Sequence, residues 1–193
     1  TVVEEGLAHP LLIGRPGVVE QRLERYGLSI RPEKDFTLIN PDDDPRYRDC
    51  WTEYYALTRR KGVTRQQAQE HVRTRPTVVA ALLMRRGDAD AMLCGTVSNS
   101  PDHVRFIRNV IGLREGVKTL AVMQLLILPG RQLFVCDTHI NVDPSADEIA
   151  EMTALLRQLV AEQQFDVVHA DQLSMASWGM VAAAEAAKNG RRP

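Results

Sequence analysis

No stretch of this 193-residue sequence approaches the ~20 consecutive apolar residues that a membrane-spanning helix needs, and no charged-then-apolar leader opens it. An excess of charge of either sign is also missing, since 24 lysines and arginines stand against 25 acidic residues, a formal net charge of -1. Neither nucleic acid nor an acidic membrane surface is therefore expected as a partner without a local basic patch. Cysteine is scarce: Cys50, Cys94 and Cys136 show no CxxC spacing, and two of them sit in apolar strand-like runs. That pattern predicts reduced, buried thiols and a cytoplasmic protein. The five histidines lack HExxH or any other zinc-ligand spacing, so no metal site is expected. A GxSxG elbow, a GxxxxGKS/T loop and a GxGxxG fingerprint are all absent, which removes the motifs of hydrolase, P-loop and dinucleotide-binding chemistry.

What is present is the composition of a globular protein, 44% hydrophobic and 25% charged, arranged in alternating blocks. PLLIG and DFTLIN read as short strands around a helix, PGVVEQRLERYG, closed by Gly27. An aromatic helix from about Pro45 to Arg60 breaks at Gly62, and TRQQAQEHVRTR and PTVVAALLMRRG predict two more helices separated at Pro76. ADAMLCG reads as a buried strand. TLAVMQLLILPGRQLFVCDT predicts two strands about a Pro-Gly turn, and because neither alternates cleanly both are expected at a sheet centre. In SADEIAEMTALLRQLVAEQQF, Ser145 and Glu148 form a capping box and Ile149, Met152, Leu156 and Leu159 share one face. Strands alternating with helices predict an α/β layered fold with a largely parallel sheet. At the ends, Val2, Val3 and Leu7 read as the last turns of a helix begun upstream, so a piece of a longer chain is expected, and MVAAAEAAKNGRRP reads as a helix stopped by Asn189 and Gly190.

Three stretches deliver polar residues where a ligand could meet them. CGTVSNSPDHVRFIRNVIG predicts a strand exit entering a helix with Ser100 as N-cap, Pro101 in the first turn and Asp102 beside it. Free N–H groups there, small Thr96, Ser98 and Ser100, and the charges of Arg105 and Arg108 suit an anion; the same residues also suit an ordinary connection with surface arginines. TRRKG places Arg59, Arg60 and Lys61 at a helix C-terminus, either as favourable charge at the negative end or as a phosphate clamp. DTHIN brings Asp137 and Asn141 to a second strand exit, where they line a cleft or simply make a turn. The acidic PDDDP reads as a solvated N-cap rather than a cation site.

In order and spacing, DDPRYRDCWTEYYALTRRKGVTRQQAQ, PTVVAALLMRRGDADAMLCGTV and LFVCDTHINVDPSADEIAEMT resemble the phosphotransacetylase (phosphate acetyl/butyryl transferase) family over about residues 2 to 162. The resemblance is closer to the phosphotransacetylase-like C-terminal domain of the large bacterial NADP-dependent malic enzymes. It implies a three-layer αβα fold of the isocitrate/isopropylmalate dehydrogenase kind, with residues 1–115 a first subdomain and 116–193 the truncated start of a second. Between the two subdomains the family holds a coenzyme A thioester. In malic enzymes the implied role is regulatory: acetyl-CoA binds as an effector, the domain supports a homo-oligomer, and malate is decarboxylated by other domains with NADP and a divalent metal. Arg105 matches an arginine of the transferases, TRRKG falls near the coenzyme A phosphates, and Thr96, Ser98, Ser100, Asp137 and Asn141 complete the implied cofactor-binding set, with no catalytic residue assigned. FDVVHADQLSMASWGMVAAAEAAKNGRRP departs from the family pattern, which leaves Ser174 and Ser177 without a role. An active phosphate acetyltransferase and a purely structural oligomerisation module are the alternatives.

Overall fold

The computed structural model describes residues 2–95, 98–137 and 140–162. Along them run β1 (Leu11–Ile13), α1 (Pro16–Arg25), β2 (Thr37–Ile39), α2 (Tyr47–Thr58), α3 (Arg65–Thr74), α4 (Pro76–Arg86), α5 (Ser100–Val110), β3 (Met123–Leu128), β4 (Arg131–Cys136) and α6 (Ala146–Glu162). One turn of 3-10 helix, Arg59–Lys61, follows α2 directly. The fold divides after Gly112 into two compact units. None of the described helices is long and apolar enough to cross a membrane.

In the first unit β1 and β2 pair in parallel, Leu11 opposite Thr37 and Ile13 opposite Ile39, joined through α1. The core lies among the helices. Six of the 11 residues of α4 are buried, Thr77, Val78, Val79, Ala81, Leu82 and Leu83, so this helix is apolar on most of its circumference and the others pack around it. Ile39, Cys50, Tyr54, Ala68, Val72, Phe106 and Val110 join it in one cluster. Local chemistry sets the helix ends: Thr64 and Gln67 exchange hydrogen bonds in a capping box at the start of α3, while Gly62 and Gly87 take positive φ (88° and 78°) where the chain must turn out of a helix. The arginines ending α4 do more than face a helix dipole. Arg86 Nε meets Glu53 of α2 at 2.8 Å, and Arg85 reaches both Glu53 (3.6 Å) and the Val110 carbonyl at the end of α5 (3.1 Å).

In the second unit β3 and β4 form an antiparallel hairpin, Met123 opposite Cys136 and Leu128 opposite Arg131, turned at Pro129 and Gly130. The expected capping box of α6 is present: Ser145 Oγ accepts from the Glu148 amide (3.3 Å), and the Glu148 carboxylate accepts from the Ser145 amide (2.8 Å). Ile149 and Met152 are buried on its inner face, Leu156 is half-buried, and Leu159 is exposed. Glu151 braces the preceding loop, its carboxylate accepting from the Lys118 and Thr119 amides at 2.9 Å and from the Thr119 hydroxyl. These donors hold its carboxyl below the ordinary glutamate range.

Several expectations are corrected. Residues 89–95 form no strand, and Leu93 and Cys94 are exposed, because a strand exists only through a ladder partner and none of the described strands pairs with this run. The hairpin is not a sheet centre: Leu125, Leu126 and Ile127 are 43%, 43% and 76% exposed, and among the described strands each has only the other beside it. The described sheets are therefore one parallel and one antiparallel pair rather than a largely parallel sheet. Val2 to Leu7 make turns, not the end of a helix. Of the three free thiols only Cys50 is fully buried. Residues 163–193, which include the segment from Phe165 expected to depart from the family pattern, Ser174, Ser177 and the expected terminal helix, lie outside the described residues.

Candidate ligand-binding site

The TRRKG cluster owes its position to two ends meeting. Helix α2 tightens into the 3-10 turn, whose last amide, Gly62, donates to the Arg59 carbonyl at 3.2 Å. Arg59, Arg60 and Lys61 all stand exposed on it. Lys61 Nζ donates to Asn109 Oδ1 of α5 at 2.8 Å, which fastens the turn beside the C-terminal part of that helix. The side chains of Arg59 and Arg60 have no hydrogen-bond or ion-pair partner among the described residues, so two guanidinium forks face solvent. Arg65, at the start of α3, is held instead over the Tyr55 ring, 5.6 Å from its centroid.

At the other end of α5 the cap lies one residue earlier than expected. Asn99, not Ser100, is the N-cap, its Oδ1 accepting from the Asp102 amide at 3.0 Å, and Ser100 and Pro101 occupy the first helical turn. Both residue types cap well, so the sequence alone did not separate them. Ser98 is exposed with φ 76°, and Ser100 is exposed; Thr96 lies outside the described residues. Arg105 is committed locally: its guanidinium meets Asp102 Oδ1 at 2.7 Å and sits 5.1 Å from the Phe106 ring centroid, with the side chain 61% exposed. Basic side chains thus accompany the second half of α5, from Arg105 to Lys61 at Asn109, a span of roughly 6 Å at 1.5 Å per residue.

Asp137 and Asn141 prove to be a brace. The Asp137 carboxylate accepts from the Asn141 amide (2.8 Å), from Asn141 Nδ2 (2.6 Å) and from the Val122 amide (3.2 Å), and Asn141 Nδ2 donates to the Leu120 carbonyl (2.9 Å). They hold their own loop in the second unit. Burial pushes the Cys50 thiol up, with Arg86 opposing, and pushes Cys136 up as well, so neither resembles an activated nucleophile. No group of three or more potential metal-ligating residues occurs among the described residues. The residue that sequence reasoning missed is Asn109, whose partner Lys61 is 48 positions away and which carries no motif.

The fold is that of the phosphotransacetylases: the EutD phosphotransacetylase from Staphylococcus aureus superposes with a TM-score of 0.72 over 94% of this chain and 58% of that one, at 19% identity. The family model described as Phosphate acetyl/butaryl transferase matches residues 1–187, and the chain belongs to that family. It is 44% identical to the NADP-dependent malic enzyme of Escherichia coli over 159 residues, 82% of this chain and 21% of the relative. Over 154 residues it is 46% identical to the NAD-dependent malic enzyme of Rhizobium meliloti, 80% of this chain and 20% of that enzyme. The chain therefore spans about one fifth of the length of these relatives.

Proposed function

We propose that this chain is the phosphotransacetylase-like part of a malic enzyme, and that it binds acetyl-CoA as an allosteric effector and supports a homo-oligomer in the cytoplasm. The observation that carries this reading is its similarity to malic enzymes along only a fifth of their length. Oxidative decarboxylation of malate, with NADP or NAD and a divalent metal, belongs in this reading to the remaining four fifths. Arg59, Arg60 and Lys61 face the coenzyme A phosphates, Arg105 supplies a further fork, and Ser98, Ser100 and Thr96 permit close approach of an anion to the loop before α5.

The test uses the intact parent protein. Acetyl-CoA is expected to bind in titration calorimetry and to change the rate of malate oxidation at fixed malate and nicotinamide cofactor. Acetyl-CoA that neither binds nor alters the rate would reject the effector role and leave a structural module. The family model's match to residues 1–187 supports a second reading, a phosphate acetyltransferase, and formation of acetyl-CoA from acetyl phosphate by the parent would select it.

Arg105 gives a sharper outcome. Its pair with Asp102 is exposed, and such pairs contribute only about 0–1 kcal/mol, so a phosphate could displace the carboxylate at little cost. Arg105→Ala is expected to weaken acetyl-CoA binding about tenfold, ~1.4 kcal/mol. An unchanged dissociation constant with unchanged salt dependence would leave Arg105 as a surface partner of Asp102.

A further inference from the structure

The first unit holds a half-buried histidine that the ligand-binding reading does not use. His71, on α3, stands between Tyr54 of α2 and Phe106 of α5: Tyr54 Oη lies 3.2 Å from His71 Nδ1, and the imidazole meets both rings edge-on, with centroids 5.7 and 5.4 Å away. Tyr54 is 1% exposed and Phe106 4%, and His71 is half-buried, so this stack is where three helices touch. In the neutral tautomer that carries its proton on Nε2, Nδ1 accepts from the tyrosine hydroxyl.

We propose that His71 is an acid-sensitive latch, joining α3 to α2 and α5 while its imidazole is neutral and releasing them when it takes a proton. A protonated ring turns Nδ1 into a donor, so the buried Tyr54 hydroxyl must reverse and its own proton loses the only acceptor it has among the described residues. The new cation also has like charges beside it. Arg105 of α5 lies over Phe106, the far wall of the stack, and Arg75 stands at the C-cap of α3 itself. Glu70 on α3 is the opposing charge, and Asp102 is already paired with Arg105. Tyr54 is the titratable group facing from α2. Helix α4 carries charge only at Arg85 and Arg86, which are engaged with Glu53. Burial first, then Arg75 and Arg105, holds His71 below the ordinary histidine range, with Glu70 opposing.

The direction of the effect follows. The unfolded chain takes up the His71 proton at a higher pH than the folded one, so stability falls as the solution is acidified from the ordinary histidine value toward the lowered one. The braced carboxylates Asp44, Glu148 and Glu151, also lowered, lose their contribution only further down, below about pH 5.

The test is urea unfolding of the full chain followed by circular dichroism between about pH 5.5 and 7.5, for the wild type and for His71→Gln and His71→Phe. The wild-type midpoint is expected to drop on acidification, and both variants to lose at least half of that slope; a slope equal to wild type in the variants would overturn the latch. Should neither variant fold, an NMR titration of the wild-type imidazole decides. His71 is then expected to titrate below the ordinary value with the Phe106 ring protons shifting at the same midpoint. Titration at the ordinary value with a silent Phe106 would overturn the proposal equally.

Discussion

Replacing Arg59, Arg60 and Lys61 together by alanine is expected to weaken acetyl-CoA binding to the parent protein about a hundredfold or more, since hydrogen bonds to charged groups contribute about 1.5–3 kcal/mol each. The three side chains differ in what they now hold. The side chains of Arg59 and Arg60 have no partner among the described residues, so a phosphate gains their charge without displacing anything. Lys61 is shared with Asn109, and its loss also loosens the turn from α5. The two single arginine variants are therefore expected to lose affinity with stability unchanged, whereas Lys61→Ala loses a little of both. Calorimetry at two salt concentrations measures the binding, and urea unfolding the stability. Equal affinity in the triple variant would remove the cluster from the site and return its charges to the helix end they cap.

Leu82→Ala is expected to cost about 2–5 kcal/mol, the range for a leucine deleted from a close-packed interior. Leu82 is 0% exposed in the middle of α4, the helix around which α2, α3 and α5 pack. Against a total stability of about 5–15 kcal/mol, that loss is a large share of what holds the first unit folded. Leu126→Ala is the matched control, because Leu126 is 43% exposed on the hairpin and sheds little buried area. Urea midpoints by circular dichroism compare them; a Leu82→Ala cost no larger than that of Leu126→Ala would mean that α4 is not the centre of the core.

The fold was legible in the sequence wherever one stretch of chain carried its own cause. Gly62 and Gly87 end helices because only a residue without Cβ takes positive φ freely, and Ser145 caps α6 because its hydroxyl and the Glu148 carboxylate reach each other's amides within one turn. Order and spacing of the motifs also carried the family resemblance, and with it the fold. Tertiary structure decided the rest. Residues 89–95 have the composition of a strand but pair with none of the described strands, while the apolar residues of β3 and β4 formed strands without becoming buried. Asp137 and Asn141 have the chemistry of a site and also brace their own loop, because folding brings the Val122 amide and the Leu120 carbonyl within their reach. Lys61 found Asn109, and Tyr54 found His71, across 48 and 17 positions. Propensity and capping act within a turn of chain and can be read along it; a hydrogen-bond partner or a buried face exists only once distant segments have been brought together.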